Sequence, residues 1–230
     1  TSQDIVLSIL HAAEITKKDT ILEVGPGRGV LTEHLAYIAK KVIAVEKDGE
    51  LAKLLRIRYA HKKNIEIITG DILRIDLSAH LPKKYKIVAN LPYYITSHFL
   101  RIFLESTFQP SSMVLMVQWE VARRITTHPP DMNMLALSVQ AYGVPKIIRK
   151  VSRSFFHPRP DVDSAIIKIS EISNAFFTKN KILPEKLFQL TRKAFSQKRK
   201  MLHNSIGIDS KTRPQELSLD EWVTIYRTRT

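Results

Sequence analysis

Apolar residues recur along the chain with two periods, and the alternation of those periods sets the expected fold. From Asp4 to Ala13, residues Ile5, Val6, Ile9, Leu10 and Ala13 form a stripe at helical spacing. Thr20–Val24 is a short apolar run that reads as a buried strand and leads into Gly25-Pro26-Gly27-Arg28-Gly29. Helical spacing then returns through Val30, Leu31, His34, Leu35 and Ile38. Lys41–Val45 predicts a second strand closed by Glu46, and Asp48 is placed to cap a helix running through Arg58. Ile65–Thr69 predicts a third strand, followed by Gly70-Asp71. Lys86–Ala89 predicts a fourth, ending at Asn90. An amphipathic helix is expected from Ile95 to Phe108, then a wholly apolar strand at Met113–Val117.

Strands alternating with helical segments imply a doubly wound, mainly parallel α/β sheet. Val144–Val151 and Ser164–Ile169 supply two further strand-like runs, suited to an antiparallel pair completing the sheet. Beyond Ser173 the pattern is helical only, at Pro184–Phe195, Lys198–Ile206 and Leu219–Tyr226. The expected organisation is therefore an α/β domain over residues 1–172 and a small helical domain over 173–230.

Composition narrows the partner. Lys and Arg number 36 against 22 Asp and Glu, a formal charge of +14 that exceeds what solubility requires and points to a nucleic acid. The absence of cysteine excludes disulfides, zinc–thiolate sites and thiol nucleophiles, and sits easily with a reducing, cytoplasmic compartment. No apolar run approaches a membrane span, and the scattered histidines predict no metal site. The chain begins at Thr1 where a natural one begins with Met, so further sequence is expected before it.

The candidate chemistry starts at Asn90-Leu91-Pro92-Tyr93. Pro92 forces the chain out of the sheet at the carboxyl end of a strand, the edge where ligands bind in open α/β sheets. By itself the tetrapeptide is equally an ordinary turn. Its groups nonetheless suit an exocyclic amine. Adenine's amino lone pair is delocalised into the ring, and two acceptors, the Asn90 side-chain oxygen and the Leu91 carbonyl, favour a tetrahedral nitrogen with a localised pair. The Tyr93 ring can stack on the base and stabilise the charge that grows as a methyl group arrives.

Three of the seven glycines lie at Gly25, Gly27 and Gly29, directly after the first strand, in a spacing that departs from the dinucleotide fingerprint and suits a nucleoside without a pyrophosphate. Glu46 is placed to accept ribose hydroxyls and Asp71 an adenine amino group, with Ile72 over the ring and Lys47 counted among the same contacts. Each acid alone reads as an exposed turn residue. Four strands ending in the glycines, Glu46, Asp71 and Asn90 together describe an S-adenosylmethionine site beside an amine-activating loop.

Glu-Val-Gly-Pro-Gly-Arg-Gly (23–29), Asn-Leu-Pro-Tyr (90–93), Phe-His-Pro-Arg-Pro-Asp-Val-Asp-Ser (156–164) and Ala-Phe-Ser-Gln-Lys-Arg-Lys (194–200) occur in order over nearly the whole chain. In these segments the sequence resembles the ribosomal RNA adenine N6,N6-dimethyltransferases, most closely the branch acting on small-subunit RNA. The resemblance implies a Rossmann-like class I methyltransferase that uses S-adenosylmethionine, working as a monomer on RNA within an immature small subunit. It also implies that Gly25, Glu46, Asp71 and Asn90 contact the cofactor, that residues 90–93 are the catalytic loop, and that Phe156 holds the second face of a flipped adenine. Phe155 is expected to be a core residue. Phosphate contacts are expected from Arg159, Arg192, Lys198, Arg199 and Lys200, in company with Lys193 and His203. Arg123, Arg124, Lys146, Arg149, Lys150 and Arg153 extend that surface.

The sequence departs from the family pattern in three places. It lacks a Gln-x-Phe-Leu segment before the first helix, it lacks a Tyr-Gly pair near Pro129–Asn133, and it is short at 206–208. The competing readings are a large-subunit enzyme of the macrolide-resistance type and a non-catalytic ribosome-assembly factor on the same fold.

Overall fold

The computed structural model describes residues 3–156, 159–197, 200–208 and 210–229. Seven strands form one sheet: β1 (Thr20–Val24), β2 (Lys41–Glu46), β3 (Ile65–Thr69), β4 (Lys86–Asn90), β5 (Ser112–Gln118), β6 (Val144–Val151) and β7 (Ser164–Ser170). Their spatial order is β3-β2-β1-β4-β5-β7-β6. The first five are parallel, whereas β7 runs antiparallel to both β5 and β6. The sequence-predicted sheet, including its antiparallel pair, is the one observed.

Both faces of the sheet are covered, which explains why the central strands read as continuous apolar runs. One face packs against α1 (Gln3–Ala13) and α2 (Val30–Ile38), burying Ile5, Ile9, Leu35, Val88, Val114 and Met116. The other packs against α4 (Thr96–Leu104), α5 (Trp119–Ile125) and α6 (Met134–Gln140). That second cluster runs on without a break into α7 (Ala175–Asn180), α8 (Pro184–Phe195), α9 (Leu202–Ile206) and α10 (Leu219–Arg227), reaching Phe188 and Trp222. Ser173, where the strand pattern ends, lies in the link between β7 and α7.

Local chemistry sets the boundaries. The helix α3 (Gly49–Arg58) starts where the Asp48 carboxylate accepts from the backbone N–H groups of Glu50 and Leu51. Pro184 opens α8, and a reciprocal Ser218–Glu221 capping box opens α10. The expected Ile95–Phe108 helix is shorter: a 3-10 turn spans Tyr93–Ile95, and α4 ends at Leu104. Past that point the Phe108 carbonyl accepts from the Tyr85 hydroxyl at 2.7 Å, which fixes the segment as a loop. The helix expected over Lys198–Ile206 is observed from Leu202, and residues 198 and 199 lie outside the described residues. Three helices of six or seven residues, α5, α6 and α7, show no usable period in sequence because they span two turns or fewer.

Gly29 illustrates how tightly the layers meet. It has φ +80°, and a β-carbon there would sit 2.7 Å from the Tyr59 hydroxyl and 2.8 Å from Leu55 Cδ2. Tyr59 also donates to the Gly29 carbonyl at 2.8 Å. Gly29→Ala is expected to lower unfolding stability by roughly 2–4 kcal/mol through backbone strain and overpacking together. Urea denaturation of the two proteins measures this, and equal midpoints would show that α3 yields without cost.

Candidate active site

The order of the strands reverses at β1, whose two neighbours β2 and β4 lead to opposite edges of the sheet. Ligand crevices in open α/β sheets form at such a switch point, outside the carboxyl ends. Registers align those ends: Val24 pairs with Val45 and with Ala89, and Glu46 pairs with Thr69. Gly25, Glu46 and Asn90 each follow one position after Val24, Val45 and Ala89, and Asp71 follows two after Thr69, so pairing alone brings four strand tips together.

Contacts link the tips in series. Gly25 has φ +66°, and a β-carbon on it would lie 3.8 Å from the Asn90 carbonyl oxygen. The Gly27 N–H donates to Glu46 Oε2 at 2.9 Å, while Glu46 Oε1 accepts from the Asp48 N–H at 3.0 Å. Lys47 Nζ lies 3.0 Å from Asp71 Oδ2, and Asp71 Oδ1 accepts from the Leu73 N–H. The Leu73 N–H and then Lys47 hold the Asp71 carboxyl below the usual carboxylate range, so it is an ionised acceptor at neutral pH. Glu46 is buried and has lone pairs left beyond its two backbone bonds.

A crevice of about 270 Å³ opens among these tips, lined by Gly25, Gly27, Asn90 and Met116 with Val6 and Ile9 of α1. Gly29 faces α3, as described above, and Ile72 is buried in the core on the α4 side of the sheet. Sequence reasoning gave no role to Glu23, which lines the same crevice. It is 1% exposed, and neither carboxylate oxygen has a hydrogen-bond partner among the described residues. Burial pushes its carboxyl up to about 8; nearby Thr32 opposes the rise and the Glu46 charge adds to it. The signal was present in the sequence, as a single acid inside an otherwise apolar strand.

Residues 90–93 are arranged unequally. The Asn90 amide and the Leu91 carbonyl accept or donate no hydrogen bond among the described residues, although the Leu91 side chain is buried. Pro92 is exposed and starts the 3-10 turn. The Tyr93 hydroxyl sits 2.8 Å from Ser164 Oγ, which is fully buried at the start of β7. This second missed residue closes the 156–164 segment. Its neighbour Asp163 accepts from the Arg153 N–H and pairs with Lys150, so that end of the segment is a brace.

Phe156 is half-buried against the cluster containing Ile9 and Met116, two residues of the crevice. Phe155, expected in the core, is 43% exposed. It ends the Arg153–Phe155 turn, and the chain becomes extended at Phe156, which is the less exposed of the two.

Arg159, Arg192 and Lys200 are exposed, as phosphate contacts must be; Lys198 and Arg199 lie outside the described residues. Of the flanking cations, Arg149 pairs with Asp4, Lys150 with Asp163, and Arg153 donates to the Asp161 carbonyl, so these three are engaged within the chain. Among the described residues no group of three or more His, Cys, Asp or Glu is placed to hold a metal ion, and no helix is long and apolar enough to cross a membrane.

The family model described as Ribosomal RNA adenine dimethylase matches residues 1–225. The chain belongs to the ribosomal RNA adenine dimethylases. A Dehalococcoides mccartyi protein named Ribosomal RNA small subunit methyltransferase A is 40% identical over 243 aligned residues, covering 96% of this chain and 82% of its own. A Moorella thermoacetica protein of the same name is 36% identical over 262, covering 98% and 88%. A dimethyladenosine transferase from Plasmodium falciparum shares the fold, with TM-score 0.86 at 24% identity over all of this chain and 97% of that one. The 23S rRNA methyltransferase ErmE shares it with TM-score 0.76, also at 24% identity, over 99% and 97%. In this dimethylase the crevice lies at the strand switch point, beside residues 90–93.

Glu23 makes the site pH-sensitive. Its folded-state value is raised, so between about pH 4.5 and 8 the folded protein keeps a proton that the unfolded chain releases. Stability is therefore lost as pH rises through that window and is level above it. Glu23→Gln removes the dependence, and its advantage over the parent should grow, by on the order of a few kcal/mol, between pH 5 and 9. Thermal or urea unfolding at three pH values checks this; parallel pH profiles would show that Glu23 does not retain its proton.

Proposed function

We propose that this chain transfers two methyl groups in succession to N6 of adenines in small-subunit ribosomal RNA, with S-adenosylmethionine as donor. The observation that carries the reading is the contact between the glycine loop and the catalytic loop, where a Gly25 β-carbon would lie 3.8 Å from the Asn90 carbonyl. Donor and acceptor sites on adjoining strand tips meet the need of a displacement for close, aligned partners. The names of the curated relatives favour the small-subunit substrate over the large.

The residues present fit the donor. S-adenosylmethionine supplies an electrophilic methyl group and carries an α-ammonium. The unpartnered, buried Glu23 carboxylate suits that cation, whose arrival would favour its ionised form. Gly25 and Gly27 leave room for close approach, Glu46 offers acceptors to ribose hydroxyls, and ionised Asp71 with Lys47 at its side offers one to the adenine amine. On the substrate side, the unengaged Asn90 amide oxygen and Leu91 carbonyl accept from the target amine and localise its lone pair. Tyr93, held by Ser164, and Phe156 would bracket the extruded base. The positive charge that develops on nitrogen faces these oxygens and the Tyr93 ring, and its proton then leaves to solvent without a strong base. We assign phosphate contacts to Arg159, Arg192, Lys198, Arg199 and Lys200, and expect a monomer acting on a partly assembled subunit.

Asn90→Ala should lower methyl transfer about 100-fold or more while cofactor affinity falls much less. Radiolabelled transfer to naked small-subunit RNA and to immature subunits, run side by side, reads this. Retained turnover in the variant would remove Asn90 from the chemistry, and an inactive parent on both substrates would remove the reaction itself.

Tyr93→Phe and Ser164→Ala delete the same hydroxyl pair. Each is expected to slow turnover a few-fold, with the double variant no slower than the worse single one. Independent, multiplying effects would show that the 2.8 Å contact does not orient Tyr93.

A further inference from the structure

Some surface cations are matched to acids, as in Lys41–Glu66, Arg58–Glu33, Lys86–Asp19 and Arg149–Asp4, and many are not. Three of the unmatched ones share one place. Arg101 of α4, Arg124 of α5 and Arg192 of α8 line a single groove of about 470 Å³, and none of the three forms an ion pair among the described residues. Arg192 Nε donates to the Phe188 carbonyl at 3.0 Å, which fixes the stem of the side chain and leaves its outer N–H groups available. One carboxylate, Glu105, lies on the groove, and it too pairs with no cation there. Leaving three guanidinium groups from three separate helices in one unneutralised hollow is unfavourable for the chain alone, which is the expected signature of an anionic occupant.

The groove begins where the catalytic loop ends. Tyr93–Ile95 is the 3-10 turn, and Ser97 and His98, in the first turn of α4, are already groove residues. Ser97 and Arg101 are spaced by four on α4, with Glu105 capping its end, so the helix leads from the loop directly to the first guanidinium. A second hollow of about 630 Å³ continues along α8, sharing Arg192 and Glu105.

We propose that this groove holds the sugar–phosphate strand flanking the target adenine, with Arg101, Arg124 and Arg192 gripping successive phosphates. The inference rests on the RNA-methylating reading and extends the RNA surface beyond the basic 193–200 segment to two helices of the α/β sheet. Arginine suits the task because its planar fork binds phosphate oxygens in pairs. Gripping the backbone beside an extruded base offsets the cost of unstacking it, which the catalytic loop alone has no charge to do.

The test compares the parent, R101A/R124A/R192A and R101K/R124K/R192K. Binding of small-subunit ribosomal RNA is measured against salt concentration, together with KM for that RNA, affinity for S-adenosylmethionine and thermal midpoint. Loss of three phosphate contacts should reduce the log–log salt slope by about 2 and raise KM roughly tenfold or more, with cofactor affinity and midpoint held; the lysine variant should keep most of the slope. An unchanged slope and KM in the alanine variant would overturn the groove assignment, even with the parent fully active. If the parent binds RNA but transfers no methyl group, the functional reading fails while the salt slope still decides the groove. Should the triple variant unfold, R101A and R124A are read singly, each expected to reduce the slope by about 0.7.

Discussion

Parallel hydrogen bonding between β1 and β4 is the constraint on which the rest of the site depends. Val24 opposite Ala89 fixes where each strand stops, so the chain leaves β1 through Gly25 and β4 through Asn90 at the same level. A register slip of one residue would turn every side chain of β4 over, sending Asn90 into the α4-side core and Ala89 into the crevice. The alternation of burial prevents this, because Val88 belongs to the cluster under α1 while Ile87 and Ala89 belong to the cluster under α4. The apolar packing on both faces therefore sets which groups stand at the edge, and two of its members, Ile9 and Met116, line the crevice itself.

Electrostatics at the strand tips are graded. Asp71, after β3, is ionised and supported by a backbone N–H and a lysine. Glu46 is deeper but is met by two backbone N–H groups. Glu23 is deeper still and has no hydrogen-bond partner among the described residues. Three carboxyl groups near the strand tips thus differ in how far the chain itself satisfies them, and Glu23, the one that lines the crevice, is satisfied least. The brace at the other end of the site is neutral, a pair of hydroxyls between Tyr93 and Ser164.

Much of this was legible from residues alone. The strands were readable because central strands buried on both faces give unbroken apolar runs, and the tips because glycines, acids and Asn90 followed those runs directly. Gly29 was legible as a glycine but not in its use, since its crowding by Tyr59 and Leu55 depends on residues some thirty positions away. Phe155 was expected in the core and is exposed, because a run of two aromatics does not say how a short turn will place the first of them. Ser164 was hidden for a similar reason: a serine at a strand start is unremarkable until β7 comes to lie beside the loop. The short helices α5 to α7 offered too few turns for a stripe, and with them went the groove that α4, α5 and α8 enclose.

The tie between Tyr93 and Ser164 has a consequence for the order in which the protein is made. β7 is the last strand in the chain, yet it fits between β5 and β6, both of which emerge before it. The parallel part of the sheet, with its crevice, has all its residues available once β5 has left the ribosome. The Tyr93 ring acquires its anchor only after dozens more residues have been added and the final strand has slotted into place. The crevice can thus form well before Tyr93 is braced, so this edge of the molecule matures in a fixed sequence, glycine-loop hollow first, aromatic anchor last.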